Sequence, residues 1–107
     1  MAEKSYTVTT DKTFRLLEKG FSLEQIAQIR QLKLSTIEDH LVEISLHDHS
    51  FLLDEYVKKE HRVEIEKAVQ KLKTKQLKKL KEFLNNENIS YFHIRLVLTK
   101  IGDHVET

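Results

Sequence analysis

The sequence predicts an all-α fold, a compact multi-helix domain, and three observations carry that prediction. Two Gly and no Pro are too few punctuators for the many tight turns of a β-rich chain. Residues that cap helix N-termini recur ahead of apolar residues spaced three and four apart. Leu and Ile supply most of the apolar bulk, beside eight aromatics (five Phe, three Tyr) and a single Met, and they suit packed helices. At 107 residues the chain has the length of one domain. We expect an N-terminal arm over residues 1–9, a helical domain over 10–102 and a tail over 103–107.

Seven short helices are expected in order. The first covers residues 11–19, started by Thr10 and stopped by a left-handed Gly20. Ser22, Leu23, Glu24 and Gln25 form a capping box that opens the second at Leu23, with Leu23, Ile26, Ala27 and Ile29 on one face. A second capping box, Ser35 to Glu38, opens the third over 36–46, lined by Ile37, His40, Leu41 and Ile44. After the polar break His47 to Ser50, the residues Phe51, Leu52, Leu53, Tyr56 and Val57 suggest a short fourth helix. Lys58 to His61 separates it from a fifth built on Val63, Ile65, Val69 and Leu72, with Ala68 on its flank, and Lys73 and Thr74 end it. Leu77, Leu80, Phe83 and Leu84 line a sixth, which stops at Asn85 and Asn86. Ser90 caps the last, with Tyr91, Ile94, Leu96, Val97, Leu98 and Ile101 inward and Gly102 as the stop. The β-branched and aromatic run over 89–99 would also suit strands, but the Ser start and Gly stop favour a helix.

Composition excludes several classes. With 39% hydrophobic and 33% charged residues the chain is neither disordered by composition nor membrane-embedded. Its best apolar stretch, Ile89 to Ile101, contains His93, Arg95 and Lys100 and falls far short of a span of about 20 apolar residues. No membrane partner is expected. The first residues lack the apolar core of a secretory signal, so a cytoplasmic location is the default. There is no Cys, hence no disulfide and no Cys nucleophile. Without a glycine-rich phosphate loop or a Gly-flanked nucleophilic Ser, catalysis is not expected. Asp54 and Glu55 are adjacent along the chain and do not converge as an acid–base pair. His47, Asp48 and His49 offer ligand types, but their spacing matches no zinc motif, and helix-capping in a loop explains them. No metal and no cofactor are expected.

Charge is balanced overall and uneven along the chain. Residues 1–57 carry six basic against ten acidic side chains (−4), residues 58–81 ten against three (+7), and residues 82–107 two against four (−2). Six lysines, Lys71, Lys73, Lys75, Lys78, Lys79 and Lys81, fall within eleven residues. Lys75, Lys78 and Lys79 lie off the Leu77 and Leu80 stripe, so several ammonium groups face one way, as phosphate binding requires and as a solvated helix also permits.

The helices between Ser22 and Leu46, joined tightly with the small Ala27 near the crossing, form a helix-turn-helix pattern. Its second helix would lie in the major groove, bringing Gln31, Thr36, Glu38 and Asp39 toward DNA. The stretch FSLEQIAQIRQLKLSTIEDHLVEI resembles the helix-turn-helix domain found at the C terminus of many bacterial RecQ-type helicases and of YpbB-like proteins. The spacing from Ile26-Ala27 to Arg30, Thr36-Ile37 and His40-Leu41 carries the resemblance, and ISYFHIRLVLTKI is similar to that family's final helix. It covers residues 10–101 and implies an accessory module of helicase machinery that binds nucleic acid in DNA repair or replication. The same spacing resembles the DNA-reading helices of LuxR-type regulators, in which a Gly takes the place of Gln31 and basic residues are frequent where Glu38 and Asp39 stand. From Gly20 to Leu46 only Arg30 and Lys33 oppose Glu24, Glu38, Asp39 and Glu43, and this acidity opposes phosphate binding.

Two readings follow. In the first, a non-catalytic module binds DNA, single-stranded, duplex or forked, through Lys71, Lys75, Lys78 and Lys79, with Arg30, Gln31, Lys33, Ser35 and Thr36 contributing from the helix-turn-helix. In the second, Glu38, Asp39 and Glu43 dock the third helix on a basic protein such as a helicase, and the lysines only solubilise the fold.

Overall fold

A computed structural model describes residues 7–51 and 53–101. Residues 1–6 of the expected arm over 1–9, Leu52 of the expected fourth helix, the stop at Gly102 and the tail over 103–107 lie outside the described residues. Six α-helices and one 3₁₀ turn make the protein all-α, with no strand among the described residues. Where chain length suggests one core, the helices gather into two compact units divided between Phe51 and Leu52.

The first unit holds α1 (Val8–Glu18), α2 (Leu23–Arg30) and α3 (Leu34–His47). The last residues of the expected arm belong to α1. Thr7 is its N-cap, its hydroxyl accepting from the Thr10 N–H at 3.3 Å. The helix is therefore capped three residues before the expected cap at Thr10, because Thr7 occupies the capping position one turn earlier. At its end Gly20 adopts φ +93°, its N–H donating to the Leu17 carbonyl at 2.9 Å and that of Phe21 to Leu16 at 3.3 Å. This is a Schellman close, and since a Cβ at Gly20 would meet nothing, backbone conformation rather than space calls for glycine.

The capping box at Ser22 forms as the sequence predicts: Gln25 N–H donates to Ser22 Oγ at 3.1 Å and Ser22 N–H to Gln25 Oε1 at 2.9 Å. The box expected at Ser35 does not. Gln31 takes the left-handed conformation, φ 56°, and Leu32 N–H closes back on the Ala27 carbonyl at 3.0 Å. The chain is extended by Lys33, which becomes the N-cap without a side-chain bond, and Ser35 falls inside the first turn. Ile37, Leu41 and Ile44 are fully buried along α3 with His40 beside them, at the predicted period, and Ile26 meets them from α2. Ile29, expected on the same face as Ile26, is exposed.

The second unit begins with the 3₁₀ turn Leu53–Glu55, followed by α4 (Lys59–Leu72), α5 (Leu77–Leu84) and α6 (Tyr91–Leu98). The expected fourth helix is thus one short turn, tied to α4 by Arg62, which bonds Asp54 at 3.1 Å and Glu66 at 3.3 Å. Lys59, Glu60 and His61 are the first turn of α4 rather than a break. Left-handed Lys73 and Asn85 end α4 and α5 where the sequence places their stops. Ile65, Ala68, Val69, Leu80, Ile89, Ile94, Leu96 and Val97 form the core. Val63, Phe83 and Tyr91, all assigned to apolar stripes by spacing, are exposed. Short helices packed on one side leave the edge of each stripe in water.

A histidine completes the capping box of α6: His93 N–H donates to Ser90 Oγ at 3.2 Å, and Ser90 N–H donates to His93 Nδ1 at 3.1 Å. Only an unprotonated Nδ1 accepts that bond. Burial lowers the His93 pKa, and nearby His61 and Lys81 lower it further against a backbone hydrogen bond with Asn88. Because the folded value lies below the unfolded one, the neutral ring stabilises the fold fully above about pH 6.5, and that contribution is lost as pH falls through the folded pKa. We expect amide protection of α6 to weaken as pH falls from about 7.5 to 5.5. His93→Gln, which keeps an acceptor at that position, should flatten the dependence; an equally steep profile in the variant would contradict the assignment.

Candidate nucleic-acid interface

In the first unit the charged residues of the helix-turn-helix are drawn into its own framework. Arg30 Nη1 donates to the Thr9 carbonyl and to Thr13 Oγ1, both at 2.7 Å, and Nη2 donates to Thr9 Oγ1 at 2.9 Å. Thr13 Oγ1 lies 2.8 Å from His40 Nδ1, both side chains being buried. With the hydroxyl accepting from Arg30, its proton points to an unprotonated Nδ1. Burial, followed by the Arg30 charge, lowers the His40 pKa against Glu43 and Asp39, in keeping with a neutral ring. Glu43 accepts from the Thr7 N–H at 2.7 Å and from Thr10 Oγ1 at 2.8 Å, placing a carboxylate at the positive end of α1. The expected DNA contact Arg30 and the expected docking acid Glu43 therefore both tie α1 to the helix-turn-helix.

What this unit leaves on the surface is Gln31 and Lys33 at the turn, Ser35 in the first turn of α3, and Asp39 farther along; Thr36 and Glu38 are half-buried. Phe21, Ile29, Leu34 and Leu46 are exposed apolar side chains of the same unit.

In the second unit the lysine run divides into two groups. Lys75 Nζ donates to the Ile101 carbonyl at 3.3 Å, and Lys81 Nζ donates to those of Asn86 and Ile89 at 3.2 and 2.7 Å. These two pin the chain around α6. Lys67, Lys71, Lys73, Lys78 and Lys79 are exposed. One surface groove beside α4 is lined by Glu64, Lys67, Ala68, Lys71, Phe83 and Leu84, and a second by Leu72, Thr74, Lys79, Glu82 and Phe83. Phe83, 51% exposed, borders both. Of the predicted lysines, Lys71 lines one of the grooves that this ring borders and Lys79 the other, Lys78 is exposed on α5, and Lys75 is tied to the Ile101 carbonyl. Sequence reasoning missed Lys67, which stands one turn before Lys71 on α4, and it assigned Phe83 to the core.

Asp48 Oδ1 accepts from the Ser50 N–H at 2.9 Å and its hydroxyl at 2.6 Å, a local turn that orders the His47 to Ser50 loop. Among the described residues no group of three His, Cys, Asp or Glu is placed to hold a metal ion, and no helix is long and apolar enough to cross a membrane.

A family model described as a helix-turn-helix domain matches residues 9–98. The chain belongs to this helix-turn-helix family. The match extends over helices of both units, so the helix-turn-helix domain is more than the α2–α3 pair. The chain is similar to Protein YpbB of Bacillus subtilis (strain 168), 41% identical over 98 residues that cover 92% of this chain and 28% of that protein. It thus spans little more than a quarter of that relative's length. No solved structure matches it.

Proposed function

We propose that the protein is a non-catalytic nucleic-acid-binding accessory module that holds phosphates on the exposed lysines of α4 and α5. The observation that carries this reading is the division of the lysines: Lys75 and Lys81 bond backbone carbonyls, whereas Lys67, Lys71, Lys73, Lys78 and Lys79 are exposed, and Lys67, Lys71 and Lys79 line grooves that share the exposed Phe83 ring. Lys33, Gln31 and Ser35 at the turn of the helix-turn-helix contribute a smaller set of contacts, with Thr36 at its margin. Arg30 acts indirectly, by fixing α2 against α1. Membership in a helix-turn-helix family supports nucleic acid as the ligand. A role in DNA repair or replication beside a RecQ-type helicase, in the cytoplasm of a bacterium, follows from the resemblance of the sequence to helicase-associated modules. Fluorescence-anisotropy titration of labelled single-stranded, duplex and forked DNA tests the reading. Saturable binding that weakens with salt is expected, and absence of binding at low salt would refute it.

A second reading rests on the first unit, where exposed Ile29, Leu34 and Leu46 share the helix-turn-helix with Glu38 and Asp39. Apolar side chains beside acids suit docking on a basic protein, such as a helicase. Loss of such a partner in a Glu38→Lys, Asp39→Lys variant with DNA affinity unchanged or raised would favour it.

A further inference from the structure

We infer that Phe83 is a stacking platform that makes the α4–α5 face select single-stranded over duplex nucleic acid; this deepens the nucleic-acid reading and rests on it. A Phe in the middle of a core stripe is ordinarily buried, yet here Leu80 alone anchors α5 fully and the Phe83 ring stands half in water. Its surroundings are charged in a particular way. Lys67 and Lys71 line the groove on one side, Lys79 lines the other, and Lys73 and Lys78 are exposed close by in the chain. Glu64 and Glu82 also reach these grooves, so the cationic excess is modest and no uniform electrostatic funnel exists.

A single strand fits this chemistry on both counts. Its bases expose apolar π-faces that stack on an aromatic ring, while the phosphates on either side of a stacked base meet lysines. A duplex satisfies the lysines but keeps its base faces inside the stack, so it gains nothing from Phe83. A solvated lysine helix needs no aromatic ring at its centre. Charge complementarity together with the exposed ring therefore selects single-stranded nucleic acid as the occupant.

The test compares the whole wild-type chain with Phe83→Ala, Phe83→Leu and Phe83→Trp. The probes are a labelled oligothymidylate of about ten nucleotides and a duplex of equal length. Phe83→Ala and Phe83→Leu should each weaken oligothymidylate binding roughly tenfold, leaving the salt slope and duplex affinity unchanged, because stacking and not apolar bulk is lost. Phe83→Trp should restore affinity. Since the chain contains no other Trp, its emission reports the site directly and should be quenched by the oligothymidylate and not by the duplex. Unquenched emission at saturating oligothymidylate, or unaltered affinity in Phe83→Ala, would overturn the stacking assignment while salt-sensitive binding preserves the broader reading. Failure of wild-type to bind either probe would overturn both. An emission change driven by protein concentration alone would assign the face to a second copy and overturn the proposal.

Discussion

Reversal of three exposed lysines, Lys71→Glu, Lys78→Glu and Lys79→Glu together, should weaken nucleic-acid binding on the order of 100-fold at low salt. Each lysine in contact with a phosphate releases condensed counterions, so affinity falls linearly with salt on logarithmic axes at about 0.7 per contact for a single strand. Losing three contacts should reduce that slope by about 2. The three residues are exposed and take no part in the core, so helical content should be retained. Lys58→Glu with Lys59→Glu, at the opposite end of α4, lowers net charge by four where the triple variant lowers it by six, touches neither groove and should cost far less than two-thirds of the effect. An unchanged slope in the triple variant would remove the basic face from the account. Lys75 is left out of this set: its ammonium caps the Ile101 carbonyl, so its reversal would mix lost binding with a loosened end of α6.

The second large effect concerns stability. Thr13→Val should destabilise the first unit by about 2–3 kcal/mol, although the two side chains are nearly the same size. The hydroxyl accepts from the Arg30 guanidinium at 2.7 Å and meets His40 Nδ1 at 2.8 Å in a position with no solvent access. Removing it deprives a cationic donor of one bond and leaves the buried Nδ1 with no protein partner for its lone pair, and unmet buried groups cost more than made bonds contribute. Thr13→Ser keeps the hydroxyl and should cost about 1 kcal/mol, the value of a lost methyl. Hydrogen exchange of the α1–α3 amides gives the readout, since it isolates this unit. Equal losses in the two variants would mean that packing, not the Arg30–Thr13–His40 network, is what Thr13 contributes.

Local chemistry was legible in the sequence and long-range commitments were not. Ser22 and Ser90 cap their helices as read, because the cap oxygen and the N–H that donates to it lie three residues apart and compete with nothing else. Ser35 fails by the same rule. The left-handed Gln31 settles where the chain turns, and α3 begins at Leu34 before Ser35 can act. The inward face of α3 followed from its period, yet that of α1 centres on Thr10 and Thr13, hydroxyl residues whose partners come from α2 and α3. Arg30 and Glu43 read as surface charges for the same reason. Their partners lie 21 and 36 residues away, separations at which spacing carries no signal.

The candidate interface shows the same limit. The lysine cluster was evident from charge alone, but which ammonium groups remain in solvent depends on where carbonyls end up after folding, and those of Ile101 and Ile89 take Lys75 and Lys81. Phe83 follows the apolar spacing of α5, so only packing reveals that the eight-residue helix turns it outward. An exposed aromatic between lysines is a signal that spacing assigns to the core.

The most direct test of the central claim is a backbone amide shift map of the whole chain titrated with an oligothymidylate of about ten nucleotides. The largest shifts should cluster at Lys67, Lys71, Lys78, Lys79 and Phe83, with smaller ones at Gln31, Lys33 and Ser35. Shifts confined to the helix-turn-helix, or no shifts at low salt, would contradict it.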